Sequence, residues 1–183
     1  ELVLIDAGCE LDYYASDVTR TFPVNGKFSA EQRLVYQIVL DAQQASIEAV
    51  KPGVSLDDIH QLAVRVITEG LVRIGLLEGE VDKLIEEKKY EPFYMHRTSH
   101  WLGMDVHDVG HYYVDGAQRP LEPGFVLTVE PGVYIAADAE GVDERWRGIG
   151  VRIEDDVLVT EAGHEVLTDG IPKEIDEVEA ACA

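Results

Sequence analysis

The chain is 183 residues long, enough for one domain with a real core, and 46% of it is apolar. Its 15 basic residues stand against 36 acidic ones, a formal charge of −21 that opposes binding to a nucleic-acid backbone and suits a protein that binds cations. No stretch approaches the ~18 uninterrupted apolar residues of a membrane helix, nothing resembles a signal peptide, and the two cysteines, Cys9 and Cys182, make no disulfide framework, so a reducing cytoplasm is the simplest compartment.

The run Leu2-Val3-Leu4-Ile5-Asp6-Ala7-Gly8 predicts a strand covered on both faces. After a turn near Asp12, Ser16 to Phe22 predicts a second strand and so a hairpin. Ser29 with Gln32 forms a capping box, and Leu34, Val35, Ile38, Val39, Ala42 and Ala45 recur at helical spacing up to a stop at Lys51-Pro52-Gly53. Ser55 with Asp58 opens another helix, with Ile59, Leu62, Ala63, Val66, Ile67, Leu71 and Ile74 on one face and Gly75 near its close. A third, charged helix is predicted from about Glu80 to Lys89. From Tyr94 the sequence turns β-rich, with strands over Phe125–Glu130, Ile149–Glu154 and Val157–Thr160, and the acidic tail from Lys173 to Glu179 reads as a short solvated helix.

Asp6 interrupts an apolar run, and Asp17 sits in the facing strand, close enough for both carboxylates to reach one side near the hairpin's middle. An unpaired buried carboxylate costs several kcal/mol, so such groups need a partner or a metal. Taken alone, each reads as a turn or cap carboxylate. Three of the six histidines, His96, His100 and His107, fall in one short block with Trp101, where a single His would read as a satisfied core residue. The zincin pattern is absent, since Arg97 follows His96. Glu130 and Glu154 each end an apolar strand, and together are harder to read as surface residues. One His with four carboxylates is oxygen-rich ligation, suited to harder ions such as Mn²⁺, and carboxylates can bridge two ions about 3.5–4 Å apart.

The motifs Asp6-Ala7-Gly8, Asp17-Val18-Thr19-Arg20-Thr21-Phe22, His100-Trp101-Leu102-Gly103 with Val106-His107-Asp108, Thr128-Val129-Glu130-Pro131-Gly132 and Arg152-Ile153-Glu154-Asp155 together resemble aminopeptidase P. That family belongs to the pita-bread metallopeptidases, with prolidase and methionine aminopeptidase. The resemblance implies an α+β pita-bread fold, a curved antiparallel sheet with helices on its outer face. It implies two divalent ions, with Mn²⁺ the expected metal. Asp17 and Glu154 would bridge them, Asp6 would bind one, and His100 and Glu130 the other. His96 and His107 match substrate-contacting positions, and Arg152 and Tyr134 match supporting ones.

The implied reaction is hydrolysis of the bond between an N-terminal residue and a following proline by a metal-bridging hydroxide. Glu130 would shuttle the proton, His107 would stabilise the carbonyl oxygen, and His96 would line the proline pocket. Proline-containing peptides are the implied substrates, and a homo-oligomer is implied for the full-length protein. Arg97-Thr98 departs from the glycine many relatives have there. Prolidase, cutting only dipeptides, and a non-catalytic peptide-binding pita-bread protein are the rival readings. A further active-site histidine, a helix pair and an N-terminal domain lie upstream in the family. Residues 1–183 are therefore expected to be a partial catalytic domain, weakly active or inactive alone.

Overall fold

The computed structural model describes residues 1–182. Strand β1 (Leu2–Ala7) pairs antiparallel with β4 (Val18–Pro23), placing Asp6 opposite Thr19. Between them a smaller hairpin, β2 (Glu10–Leu11) and β3 (Tyr14–Ala15), continues the ladder beyond a break at Gly8-Cys9 and Ser16-Asp17. A side chain at Gly8 would run into the Ser16 carbonyl, so only glycine permits this approach. The expected cover on both faces of β1 is not what these residues provide: Ile5, Asp6 and Ala7 are exposed.

Helix α1 (Ala30–Ala49) begins at the reciprocal Ser29–Gln32 capping box, and α2 (Leu56–Arg73) at an equivalent Ser55–Asp58 box. Gly75, at φ +78°, closes α2: its N–H bonds the Val72 carbonyl and that of Leu76 bonds Leu71, the Schellman pattern. The charged helix is shorter than expected; α3 spans Val81–Glu86, and Lys88 at φ +54° turns the chain away. Helices α1 and α2 pack together, and Gly70 is what lets them approach, since a Cβ there would sit 2.6 Å from Ile38 Cγ2.

The second half of the chain forms hairpin β5 (Tyr113–Val114)–β6 (Ala117–Gln118), then β7 (Val126–Val129) and β8 (Gly132–Tyr134). Strands β9 (Gly150–Arg152), β10 (Asp155–Thr160) and β11 (Gly163–Val166) follow. Sheet β11–β10–β7 and the pair β8–β9 are both antiparallel. Strand β10 starts earlier than predicted because Asp155 and Asp156 already pair with Val129 and Thr128 of β7; the buried Asp155 side chain is itself satisfied, accepting from Arg20, Gln43, Thr168 and Lys173. One apolar core lies between α1, α2 and the β8–β9 pair, and a second joins Ile47, Ile59 and Leu121 to β7 and β10. Helix α4 (Ile175–Ala181) is not simply solvated: Ile175 and Val178 enter the first core, and Glu179 binds Lys27, Arg33 and the Phe28 N–H. Among the described residues, no helix is long and apolar enough to cross a membrane.

Gly70→Ala is expected to destabilise the fold by ~1–3 kcal/mol, the usual cost of overpacking. Adding Ile38→Ala should make the second change less harmful on the Gly70→Ala background than on the parent, which a denaturant double-mutant cycle reads directly.

Candidate metal centre

Chain segments far apart in sequence meet where their strands break. Residues Thr98 to Leu102 run beside β7: Glu130 N–H bonds the Thr98 carbonyl at 2.8 Å, Thr128 N–H bonds the His100 carbonyl at 3.0 Å, and Leu102 N–H bonds the Val126 carbonyl at 3.1 Å. This register sets His100 next to Glu130. The Glu154 N–H bonds the Thr19 carbonyl at 3.1 Å, which ties the β9–β10 junction to β4 and so to Asp17.

Asp17, His100 and Glu154 each present a ligand atom within 4.8 Å of the others. His100 Nε2 lies 3.3 Å from Asp17 Oδ2 and 3.6 Å from Glu130 Oε1. Its Nδ1 is 3.0 Å from the Trp101 carbonyl, so Nδ1 carries the hydrogen and Nε2 presents its lone pair to the carboxylates. Asp6 stands against Asp17 and takes a 2.6 Å bond from Arg152 Nη2. Asp17, His100 and Glu154 thus form one cluster, with Glu130 beside His100 and Asp6 beside Asp17.

Arg152 braces them. Its Nε donates to Thr19 Oγ1 at 3.1 Å and its Nη1 to the Tyr134 hydroxyl at 3.0 Å. Thr19 Oγ1 in turn donates to Glu154 Oε2 at 2.5 Å. The Tyr134 hydroxyl is 2.8 Å from His96 Nε2, while His96 Nδ1 is 2.7 Å from the Arg97 carbonyl. The directions close consistently: arginine donates to tyrosine, tyrosine to His96 Nε2, and His96 Nδ1–H to the carbonyl. Burial lowers the His96 pKa, which favours this neutral ring. His107 is exposed, with its ring 4.3 Å from that of His100.

Thr19 is the supporting residue that the sequence reading left without a role. Asp17, Thr19 and Thr21 alternate along one strand face and are all buried, a polar inward stripe whose period of two was visible. Asp156 adds a further support, its Oδ2 accepting the Asp17 N–H at 3.1 Å.

The residues present fit a cation-binding role. Burial raises Asp17 from its ordinary value, with Asp6 adding to the effect, and burial pushes Glu130 up to about 7 and Glu154 up to about 8, with neighbouring carboxylates adding to both. A divalent cation relieves both penalties. Glu130 borders a cleft of about 800 Å³ whose lining also includes Asp6, His96, His100, His107 and Arg152.

Because Glu130 and Glu154 hold protons more tightly folded than unfolded, their stabilising contribution is present below the ordinary carboxylate range. It is lost as pH rises through about 7 and 8. His60, lowered to about 4 by burial, has the opposite dependence, complete above the ordinary histidine range. Chelator-treated protein is therefore expected to melt at a lower temperature at about pH 8.5 than at about pH 6.5, and added divalent cation to raise the higher-pH Tm more. Scanning calorimetry checks both; a metal-free Tm that climbs across this window contradicts the electrostatics described.

The family profile described as metallopeptidase family M24 matches residues 1–161. The chain is 56% identical to the Xaa-Pro aminopeptidase of Haemophilus influenzae over 98% of its own length and 41% of that protein's. It is also 56% identical to the Xaa-Pro aminopeptidase of Escherichia coli, covering 98% of this chain and 40% of the relative. The structure of Pseudomonas aeruginosa aminopeptidase PepP superposes with a TM-score of 0.97 at 61% identity, over 99% of this chain and 41% of that one. The chain thus spans about two fifths of the length of these relatives. With ligand-type residues converging at the strand breaks and this profile running across all of them, the chain belongs to metallopeptidase family M24 and has the α+β, pita-bread architecture of aminopeptidase P.

Proposed function

We propose that this chain supplies the metal-binding catalytic part of an Xaa-Pro aminopeptidase, which removes an N-terminal residue standing before proline. The observation that carries the reading is the convergence of Asp17, His100 and Glu154, flanked by Asp6 and Glu130, at a cleft lined by His96 and His107. The likeness to Xaa-Pro aminopeptidases supports it.

In this reading Asp6, Asp17, His100, Glu130 and Glu154 would hold two divalent ions; the oxygen-rich donor set favours Mn²⁺. Bound divalent ions supply Lewis acidity and a reactive water nucleophile at neutral pH. Arg152 fixes Asp6, and through Thr19 the carboxylate of Glu154, so the ligands stay aimed while the charge beside them changes. Glu130 accepts a proton from the attacking water and returns it to the proline nitrogen, which must gain one to leave. His107, free at the cleft edge, donates an N–H to the carbonyl oxygen as negative charge grows there. His96 has both ring nitrogens engaged, so it meets the proline with its ring, an apolar surface for a residue whose ring is apolar.

Glu130→Gln in the complete gene product is expected to lower kcat by ~10²–10⁴-fold with much smaller change in KM, since the amide cannot shuttle a proton. Asp17→Asn is expected to lower the metal bound per chain. Steady-state kinetics on Xaa-Pro-Xaa and Xaa-Pro peptides, with metal content by mass spectrometry, test the reading. Activity confined to dipeptides would make the protein a prolidase instead. Near-normal turnover by metal-loaded Glu130→Gln would remove that residue from proton transfer.

A further inference from the structure

Two arginines border the catalytic cleft among the described residues, and they differ in what they have left to offer. Arg152 spends its donors on Thr19, Tyr134 and Asp6. Arg97 is 57% exposed at its side chain and has one side-chain partner, Asp57 Oδ1, at 2.7 Å from Nη2. A guanidinium carries five N–H donors in a planar fork, so most of this fork, at a residue that lines the cleft, is left without a side-chain partner among the described residues.

Its location is defined by its neighbours. The Arg97 carbonyl receives the His96 Nδ1–H, so the residue directly follows the ring assigned above to the proline pocket. Asp57 stands in the first turn of α2, whose Leu56 also lines the cleft. The capping box at Ser55 and Asp58 fixes that turn, and with it the carboxylate that orients Arg97. The surrounding protein carries a formal charge of −21, which repels anionic peptides at long range. Arg97 sets a cationic fork against that field at close range, partly offset by Asp57.

The geometry points to Arg97, oriented by Asp57, as the residue that selects peptides bearing a carboxylate on the residue after the proline. This inference rests on the Xaa-Pro aminopeptidase reading and adds to it a preference on the leaving side of the cut. Two sources supply the same group there: the free C-terminus of a tripeptide, or the side chain of an acidic residue in a longer peptide. Arg97 is a binding residue in this role, remote from the bond that breaks, so its contribution falls on KM and kcat/KM, with little on kcat.

The test uses the metal-loaded complete gene product and two matched peptide pairs. Xaa-Pro-Gly is compared with its C-terminal amide, and amidated Xaa-Pro-Glu with amidated Xaa-Pro-Gln. In at least one pair the carboxylate-bearing peptide is expected to have a kcat/KM higher by about 5–20-fold, the range of a partly exposed charge-assisted contact. The pair that responds identifies the source. Arg97→Gln should bring that ratio close to one, and Arg97→Lys should restore part of it. Ratios near one in both pairs, or a ratio that survives in Arg97→Gln, would overturn the inference while leaving the peptidase reading intact. If none of the four peptides is cut, the peptidase reading fails and this inference falls with it.

Discussion

Carboxylates crowded into a half-dry pocket set the terms for the rest of the molecule. Asp6, Asp17, Glu130 and Glu154 come from three widely separated stretches of chain, and nothing in bulk water would hold them together. Desolvation and mutual repulsion drive Glu130 to about 7 and Glu154 to about 8, so the fold carries an electrostatic cost at neutral pH. Arg152 donates to Asp6 and lies against the group, one positive charge against four carboxylates. The apolar packing of α1 and α2 against β8 and β9 anchors the pair that carries the bracing Tyr134 and Arg152. A divalent cation turns the same arrangement from a cost into a binding energy.

Adjacent residues at the β9–β10 junction separate structural from functional charge. Asp155 is fully buried, yet two cationic side chains, an amide and a hydroxyl serve it, and its pKa is lowered although burial alone would raise it. Glu154 is just as buried and receives one hydroxyl, from Thr19, as its side-chain partner. Alternation along the chain sends Glu154 and Asp156 towards Asp17 and sends Asp155 the other way, towards α1 and Lys173. An acidic triplet that looks uniform in sequence therefore contains one finished ion-pair network and two groups that face the site. The difference lies in which donors the fold brings, and those come from positions as distant as Arg20 and Gln43.

Local chemistry made the helices legible. Ser29 with Gln32, Ser55 with Asp58, and Gly75 after an apolar stripe are signals whose partners lie within a few residues. Helix α4 was misread for the opposite reason. Its acidic composition hid Ile175 and Val178, spaced to share a face, and the cations that pair with Glu179 sit near the start of α1. The site was legible in residue type and motif, because His and carboxylate ends of apolar runs stand out. Its bracing was not. That Thr19 links Arg152 to Glu154 depends on a register between segments about 130 residues apart, which no local pattern encodes.

The two inner histidines use one local device for two purposes. In each, Nδ1 donates to the carbonyl of the next residue, Arg97 for His96 and Trp101 for His100. That bond fixes both the ring plane and the tautomer before any ligand arrives. What differs is the group facing Nε2. For His100 it is the carboxylates Asp17 and Glu130, so the lone pair is left for a cation. For His96 it is the Tyr134 hydroxyl, which Arg152 has already oriented, so the lone pair is spent and the ring becomes a wall. Chain position alone does not decide what faces a histidine here; the strand opposite does, through β7 for His100 and the β8–β9 pair for His96.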